Sequence, residues 1–343
     1  MALETPSTLN LNKGHFMADE TILEVKNLKT YFYTDDGIVK GADDVSFSID
    51  RGETLALVGE SGSGKSVSAM SILKLIPQPP GKIEGGEILF NGEDLVVANE
   101  AKMRKIRGNE ISIIFQEPMT SLNPLLKISK QIAEPLILHQ NMSKKEAKAR
   151  SIELLELVGI SDPESRLKQY PYEMSGGIKQ RVMIAMALAC KPALLIADEP
   201  TTALDVTIQA QVLTLIEDMQ KRLNMSILMI THDLGVVAET ADKVAVMYCG
   251  EIVEYGTVDD IFHDSKHPYL IALKKSIPHL DSDVEELFVI EGLIPDTRLE
   301  IPGCKFAERC PSVMDRCRKS RPSVTNFSNG HYAKCFLYQE ESN

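Results

Sequence analysis

The stretch GESGSGKS, from Gly59 to Ser66, decides the fold class of this chain. It fits the pattern G-x-x-x-x-G-K-[ST] at every fixed position, and it follows the apolar segment Thr54 to Val58. A glycine-rich loop between a buried strand and a helix directs its backbone N–H groups toward phosphate oxygens, and the helix N-terminus adds its positive dipole end. Lys65 can reach the outer phosphates, and the Ser66 hydroxyl can bind Mg²⁺. The complete match between strand and helix favours a phosphate loop over an ordinary Gly/Ser-rich turn. The residues expected to surround the phosphates are Gly59, Ser61, Gly62, Ser63, Gly64, Lys65 and Ser66.

A second motif combines an apolar run with two acids, ALLIADE from Ala193 to Glu199. An apolar strand would deliver Asp198 to its end, where the carboxylate can hold Mg²⁺ directly or through water. Glu199 can polarise an attacking water as a general base. The alternative is the solvated start of a loop, but the apolar run and the upstream phosphate loop favour a site for hydrolysis of a nucleotide.

The rest of the chain alternates strand and helix signals, which predicts an α/β fold with a largely parallel sheet covered on both faces. Strands are predicted at Ile22–Val25, Val45–Ile49, Glu87–Phe90, Ala193–Ala197, Ser226–Ile230 and Lys243–Tyr248. A helix is predicted from Ser66 to Ile76, ending before Pro77, and another from Lys144 to Val158, with Ser143 as its N-cap and Glu146 completing a capping box. The helical pattern of residues 118–182 predicts an inserted helical subdomain within a domain spanning residues 20–262. Residues 1–19 are expected to be a polar leader, with Met17 as a possible natural start, and the proline-punctuated residues 263–343 a separate C-terminal region.

Composition narrows the function classes. The chain has 343 residues and a formal net charge of −12, so its acidic surface disfavours nucleic acid as a partner. No run of 18 apolar residues occurs, which predicts a soluble protein without a span of its own. The opening residues lack the charged-then-apolar pattern of a secretion signal.

Four of the six cysteines cluster in the last forty residues, namely Cys304, Cys310, Cys317 and Cys335. Cytosolic chains rarely keep disulfides, so a metal centre is the better interpretation of this cluster. Structural zinc sites more often contain a tight C-x₂₋₄-C pair, and the wider spacing here suits a larger thiolate-held cluster. Iron–sulfur, zinc and reduced free thiols all remain open, and a structural role is expected. Cys190 and Cys249 lie in apolar surroundings and are expected to be core residues.

The order of the motifs resembles that of the ABC ATPases. The segment MSGGIKQR, residues 174–181, resembles their signature motif, and ALLIADEPTTALD, residues 193–205, their acidic strand and D-loop. Gln116 falls at the Q-loop position, Asp205 in the D-loop and His232 at the switch histidine. The resemblance covers about residues 20–262. Three further features narrow this resemblance to the D-type ATPases of oligopeptide and dipeptide importers, with nickel importers as relatives. They are the segments FQEPMTSLNP and HPYLIALKKSIP and the cysteine tail. Ile178 replaces the glutamine of most ABC proteins, and an apolar residue there favours this subgroup.

This resemblance implies a RecA-like core that hydrolyses ATP with Mg²⁺. Two homologous ATPase subunits would face each other head to tail, so that Ser175, Gly176, Gly177 and Asp205 act on the partner's ATP. It also implies that Glu199 and His232 are catalytic, that Ser66, Gln116 and Asp198 hold Mg²⁺, and that the four cysteines hold a [4Fe–4S] cluster. Among Tyr31, Phe32 and Tyr33, the position of Phe32 matches the aromatic that stacks on adenine, although plain core packing is the alternative.

The partners implied are a second ATPase subunit, in a heterodimer, two integral membrane permeases and, indirectly, an extracytoplasmic substrate-binding protein. The chain would then lie peripherally on the cytoplasmic face of the membrane. Alternatives are an importer of nickel or another small solute, a non-transport ABC ATPase, and a regulatory module that binds ATP without turnover; the presence of Glu199 and His232 argues against the last. A single phosphate loop and the lack of sustained heptads argue against translation and repair factors. The sequence does not identify the cargo.

Overall fold

The computed structural model describes residues 21–116, 121–201, 205–276 and 288–340. The predicted leader, residues 1–19, lies outside this part of the chain. The strands are β1 (Thr21–Thr34), β2 (Gly37–Asp50), β3 (Thr54–Val58), β4 (Gly81–Phe90), β5 (Glu93–Asp94), β6 (Ile111–Ile114), β7 (Leu194–Asp198), β8 (Ser226–Thr231), β9 (Lys243–Tyr248), β10 (Glu251–Thr257), β11 (Thr325–Asn326) and β12 (Tyr332–Ala333). The helices are α1 (Lys65–Ile72), α2 (Glu100–Ile106), α3 (Ile128–Gln140), α4 (Lys144–Leu157), α5 (Pro163–Arg166), α6 (Gly176–Ala187), α7 (Val206–Leu223), α8 (Leu234–Thr240), α9 (Val258–His263), α10 (Pro268–Lys275) and α11 (Asp315–Lys319).

A large mixed sheet forms the centre of the molecule, with strand order β11-β12-β10-β9-β3-β8-β7-β6. The five strands from β9 to β6 run parallel, and β10 to β11 are antiparallel. Strands β3, β7 and β8 are buried at every residue, which explains their continuous apolar sequences. A second, antiparallel sheet has the order β2-β1-β4-β5. The α/β prediction is therefore confirmed, although β1 and β2 are far longer than their apolar cores indicated, because these two 14-residue strands pair with each other from end to end.

The helices between β6 and β7 form a packed unit of their own. Strands β6 and β7 are neighbours in the sheet, so everything between them leaves the sheet and returns to it. Buried side chains of α3, α4 and α6 share one apolar cluster, which includes Ile132, Leu154 and Val182. Helix α4 begins with the predicted capping box: the Glu146 N–H donates to Ser143 Oγ at 3.3 Å, and the Ser143 N–H donates to Glu146 Oε2 at 2.8 Å.

Helix α1 is shorter than predicted. It ends at Ile72 rather than Ile76, since Lys74 adopts a left-handed backbone conformation with φ of 50°. The Lys74 ammonium donates to the carbonyls of Val96 and Ala98, both at 2.8 Å. A tertiary contact therefore fixes this end, where the sequence offers no glycine to signal it.

The C-terminal residues are not separate from the core. Strand β12 pairs with β10 through Glu254 and Tyr255, so the tail extends the central sheet. Lys305 Nζ lies 2.9 Å from Asp43 Oδ2 on β2, and both side chains are more than nine-tenths buried. His331 is buried against Glu254, with 3.0 Å between Nε2 and Oε1. The prolines interrupt regular structure in this region, but ion pairs and strand pairing still join it to the nucleotide-binding fold.

Candidate functional site

The loop from Gly59 to Gly64 connects the buried strand β3 to helix α1 and wraps closely against its surroundings. Gly59 and Gly64 have φ of 151° and 101°. A Cβ on Gly59 would lie 2.2 Å from the Met247 carbonyl oxygen, and one on Gly64 would lie 2.0 Å from that of Gly41. Both positions therefore require glycine for conformation and for space.

Lys65 lies inside this loop. Its ammonium donates to the carbonyls of Gly59 at 2.7 Å and Glu60 at 3.0 Å. Burial lowers the pKa of Lys65, and the nearby carboxylates of Glu199, Asp198 and Glu60 oppose that shift. The ammonium is thus held where its carbonyl partners can be exchanged for phosphate oxygens.

The acidic pair at the end of β7 meets the phosphate loop. Ser66 Oγ donates to Asp198 Oδ1 at 3.1 Å, so a hydroxyl and a carboxylate separated by 132 residues converge at one point. Asp198 is buried, and burial, with a contribution from Glu199, raises its pKa against the opposing effects of Ser66 and Lys65. Two hard oxygen ligands at the mouth of a phosphate loop fit Mg²⁺.

Glu199 contacts two other predicted site residues, Gln116 and His232. Gln116 Nε2 donates to Glu199 Oε2 at 2.9 Å, and His232 Nδ1 lies 3.2 Å from Glu199 Oε1. Gln116 therefore contacts the acid rather than the Ser66–Asp198 pair to which it was assigned as a metal ligand. Residues 117–120 after the Q-loop glutamine and 202–204 of the D-loop lie outside the described residues.

The three aromatic residues of β1 have different surroundings. The hydroxyls of Tyr31 and Tyr33 are engaged by Asp43 and Glu84, at 2.7 and 2.5 Å. The ring of Phe32 lies beside Gly41, together with the side chain of Val67, the residue after Ser66. The ring of Phe32 therefore lies close to the first turn of α1.

Ser175 and Gly176 of the signature motif lie on the surface, whereas Met174, Lys179 and Gln180 of the same motif are buried. Ser175 is the N-cap residue of α6, yet its side chain caps no N–H, and Ser175 and Gly176 are both exposed. Gly177 faces Ile208, whose N–H is capped by Asp205 Oδ1 at 3.0 Å. The start of α6 and the start of α7 thus form one exposed corner that contains all four residues predicted to act on a partner's nucleotide.

The four C-terminal cysteines line one cavity together with His267 and Phe306. Within the described ranges, no group of three or more His, Cys, Asp or Glu side chains is arranged to hold a metal ion. Cys317 Sγ accepts the Met314 N–H at 3.5 Å. Burial raises the pKa of the Cys304, Cys310 and Cys335 thiols, and the backbone N–H groups of Phe306, Ser312 and Leu337 oppose that shift. Cys190 and Cys249 are buried core residues, as predicted.

The basic residues beside these cysteines have partners of their own. Lys305 binds Asp43, and Arg316 donates to the carbonyls of Phe336 and Gln339. Arg318 pairs with Glu308 at the surface. Arg309, which no sequence feature distinguishes from the other three, binds Glu60 of the phosphate loop. No motif marks this contact, because it joins residues 249 positions apart.

Comparison with known proteins gives the same family over most of the chain. A family model described as ABC transporter matches residues 42–202, and one described as oligopeptide/dipeptide transporter, C-terminal region, matches residues 253–317. The oligopeptide transport ATP-binding protein AppD of Bacillus subtilis is 55% identical over 94% of this chain and 98% of its own length. The chain belongs to the ABC transporter family, in its oligopeptide/dipeptide branch.

Other members of this branch are similar to nearly the same extent. The dipeptide transport ATP-binding protein DppD of Bacillus subtilis is 50% identical over 94% of this chain and 96% of that protein. The oligopeptide transport ATP-binding protein OppD of Escherichia coli is 48% identical over 94% and 95%. A solved dimer of the ATP-binding cassette MJ0796, bound to ADP and phosphate, aligns with a TM-score of 0.62 and 27% identity, covering 69% of this ABC ATPase and 98% of the cassette.

Proposed function

We propose that this chain is the ATP-hydrolysing subunit of an ABC importer that takes up dipeptides or oligopeptides. The convergence of Ser66, Asp198 and Glu199 beside Lys65, with Gln116 and His232 on the same acid, is the observation that carries the proposal. These residues come from four separate segments, and together they supply a phosphate cradle, metal ligands and a base.

Each residue has a definite task in hydrolysis. Lys65 exchanges its loop carbonyls for phosphate oxygens. Ser66, Asp198 and Gln116 would hold Mg²⁺. When bound, Mg²⁺ neutralises charge that develops on the phosphates. Glu199 accepts the proton of the attacking water, and His232 contacts the γ-phosphate.

The exposed corner at the start of α6 is the reason to propose a partner ATPase. An uncapped helix N-terminus presented to solvent is an anion site that lacks an anion on its own chain. Head-to-tail pairing would place Ser175, Gly176, Gly177 and Asp205 against the partner's ATP. The dimeric cassette among the solved relatives supports pairing, and the family resemblance favours a second, homologous subunit over a self-dimer.

An exposed apolar groove supports docking to a permease. It lies between the end of β6 and the helical unit, and it is lined by Leu75, Phe115, Pro135 and Met186. Phe115 directly precedes Gln116, which contacts Glu199. A displacement of the groove residues by a bound permease loop can therefore be transmitted to the proposed catalytic carboxylate. No described helix is long and apolar enough to cross a membrane. We assign the groove to cytoplasmic loops of two permease subunits, which places the chain peripherally at the cytoplasmic membrane face, with a substrate-binding protein acting from outside.

We further propose that Cys304, Cys310, Cys317 and Cys335 hold a [4Fe–4S] cluster, with zinc as the alternative. Their shared cavity and the Met314 N–H donated to Cys317 Sγ support a thiolate centre, because such hydrogen bonds stabilise metal-bound sulfur. A structural role is the simplest one for this centre.

The test is transport by the complete complex. The chain, purified with the permeases that accompany it and reconstituted into vesicles with ATP inside, should accumulate a labelled dipeptide or oligopeptide when the binding protein is supplied. Lys65→Ala should abolish both uptake and ATP binding. ATP-driven uptake of Ni²⁺ alone would replace the cargo assignment, and ATP hydrolysis without any co-purifying membrane protein would remove the transport role.

A further inference from the structure

We propose that Arg309 and Tyr269, from the C-terminal part of the chain, are positioning residues of the phosphate loop and set its affinity for Mg-ATP. The inference rests on the proposed function, since it takes Gly59 to Ser66 as the ATP site. It gives the C-terminal residues a task in nucleotide binding that neither the motifs nor the family comparisons assign to them.

Arg309 contacts the phosphate loop through an ion pair with Glu60. Its guanidinium makes a two-pronged ion pair, with Nη1 2.7 Å from Glu60 Oε2 and Nη2 3.0 Å from Glu60 Oε1. The Arg309 side chain is only 4% exposed, and it is fixed from behind by the carbonyls of Ile290 and Glu291 and by the hydroxyl of Tyr248. A buried, bidentate and multiply anchored arginine holds its carboxylate partner in one place.

Tyr269 holds the same loop residue by its backbone. The Glu60 N–H donates to Tyr269 Oη at 2.8 Å, and the Tyr269 ring is fully buried against Tyr248 and Phe306. The carbonyl of Glu60 accepts from Lys65 Nζ. Glu60 is thus bound to the C-terminal part through both its side chain and its N–H. Its carbonyl accepts a hydrogen bond from Lys65, the lysine proposed to bind phosphate.

Charge gives this contact its effect on the nucleotide. Glu60 places a carboxylate in a loop that receives a triphosphate, on the residue whose carbonyl lies 3.0 Å from Lys65 Nζ. Arg309 neutralises the carboxylate and draws it toward the C-terminal part. Without the arginine, Glu60 would repel the phosphates and compete for Lys65.

Arg309 is also adjacent in the chain to the cysteine-lined segment. Arg309 ends a short 3₁₀ turn, Ala307–Arg309, and directly precedes Cys310. Order in the cysteine-lined segment therefore sets the position of the guanidinium. From the sequence alone, we expect ATP binding by the phosphate loop to be independent of the cysteine-lined segment, because the two lie in different predicted domains. The ion pair between Arg309 and Glu60 is the physical reason to expect that ATP binding depends on this segment.

The test is the affinity of the full-length purified protein for a fluorescent ATP analogue with Mg²⁺. Arg309→Met should weaken binding about tenfold, the value of roughly one charge-assisted hydrogen bond. Arg309→Lys, which keeps the charge and loses the fork, should fall between. Glu60→Gln, which breaks the ion pair but also removes the repelling carboxylate, should weaken binding less than Arg309→Met does. The double variant Glu60→Gln/Arg309→Met should match Glu60→Gln alone, because the repelling carboxylate is gone.

Tyr269→Phe keeps the packing and removes only the hydroxyl, so it should weaken binding a few-fold even if Arg309→Met fails to fold. Arg318→Met is the matched control, since it breaks an exposed ion pair on the same segment and should leave affinity unchanged. Equal affinity in all folded variants, with only their melting temperatures lowered, would show a purely structural ion pair and overturn the inference. Lys65→Ala in the same assay separates the two proposals: if it too binds normally, the ATP site itself is misassigned.

Discussion

At the scale of single residues, Glu199 has an unusual backbone geometry. It has φ of 45°, in the left-handed region, and its N–H donates to the Ile230 carbonyl at 2.9 Å, which fixes this conformation at the end of β7. Strained backbone of this kind persists where neighbouring structure over-determines it. The conformation directs the carboxylate to Gln116 and His232 rather than into the sheet.

Glu199→Gln should therefore keep ATP binding and slow turnover on the order of 100-fold or more, since the shape remains while the proton acceptor is lost. ATPase rates at saturating Mg-ATP measure this effect. Glu239→Gln, an exposed acid on α8, should behave like the unaltered protein. A near-normal rate for Glu199→Gln would remove the residue from its role as base.

Phe32 allows a second test at this scale. Base–aromatic stacking is worth about 1–3 kcal/mol, so Phe32→Ala should weaken ATP binding on the order of tenfold. Its neighbour Tyr33 has its hydroxyl on Glu84 and its ring half in solvent, so Tyr33→Ala should leave affinity nearly unchanged. The reverse order of effects would transfer the adenine contact to Tyr33 and return Phe32 to a packing role.

At the scale of elements, the start of α6 is the surface on which the dimer depends. Ser175 is exposed and caps nothing on its own chain. Ser175→Ala should consequently leave the ATP affinity of the isolated subunit unchanged and reduce hydrolysis in the assembled pair. Titration of the fluorescent analogue and ATPase assays of the reconstituted complex separate the two effects. A large loss of binding in the isolated subunit would contradict the head-to-tail arrangement.

The contact between β2 and the C-terminal part is also a matter of elements. Although burial opposes the shift, Lys305, Tyr31 and Arg321 hold the pKa of Asp43 well below its ordinary value. A depressed pKa in the folded state contributes stability above the unfolded-state pKa of about 3.9, and this stability is lost as pH falls toward the folded value.

Asp43→Asn should accordingly lower the free energy of unfolding by about 3 kcal/mol at pH 7, because it leaves Lys305 charged and unpaired in a buried site. The difference from the unaltered protein should shrink as pH falls below about 4. Denaturant titrations at a series of pH values measure it. Asp296→Asn, which breaks the exposed pair with Arg298, should leave the midpoint nearly unchanged. A pH-independent difference would show that the loss comes from packing.

At the scale of the whole molecule, the cysteine-lined cavity and the central sheet are parts of one structure through β12 and the Lys305 and Arg309 contacts. Anaerobically purified protein should be brown and contain about four iron and four acid-labile sulfide per chain. Cys310→Ser should lose the iron, since an alkoxide poorly replaces a thiolate on iron. Cys190→Ser, in the apolar core of the helical unit, should retain it. Stoichiometric zinc without iron would assign the four thiolates to a structural zinc site.

The sequence by itself determined the elements whose chemistry is local. The glycines of the phosphate loop, the apolar strand before Asp198 and the Ser143–Glu146 capping box each follow from residues within eight positions of one another. Short-range sterics and hydrogen bonds are sufficient there, and the structure contains all three. The order of the motifs also determined the family.

Only the tertiary structure decided which distant residues meet. Three features depend on contacts across 22 to 249 positions. They are the end of α1 at Ile72, where the Lys74 side chain contacts distant carbonyls, the hydrogen bond of Gln116 to Glu199, and the ion pair of Arg309 with Glu60. No periodicity encodes such pairs, because the side chains involved are ordinary Lys, Gln and Arg in unremarkable local sequence. Their partners are chosen by burial, where a charge or an amide must find a complement once the sheet has brought the segments together.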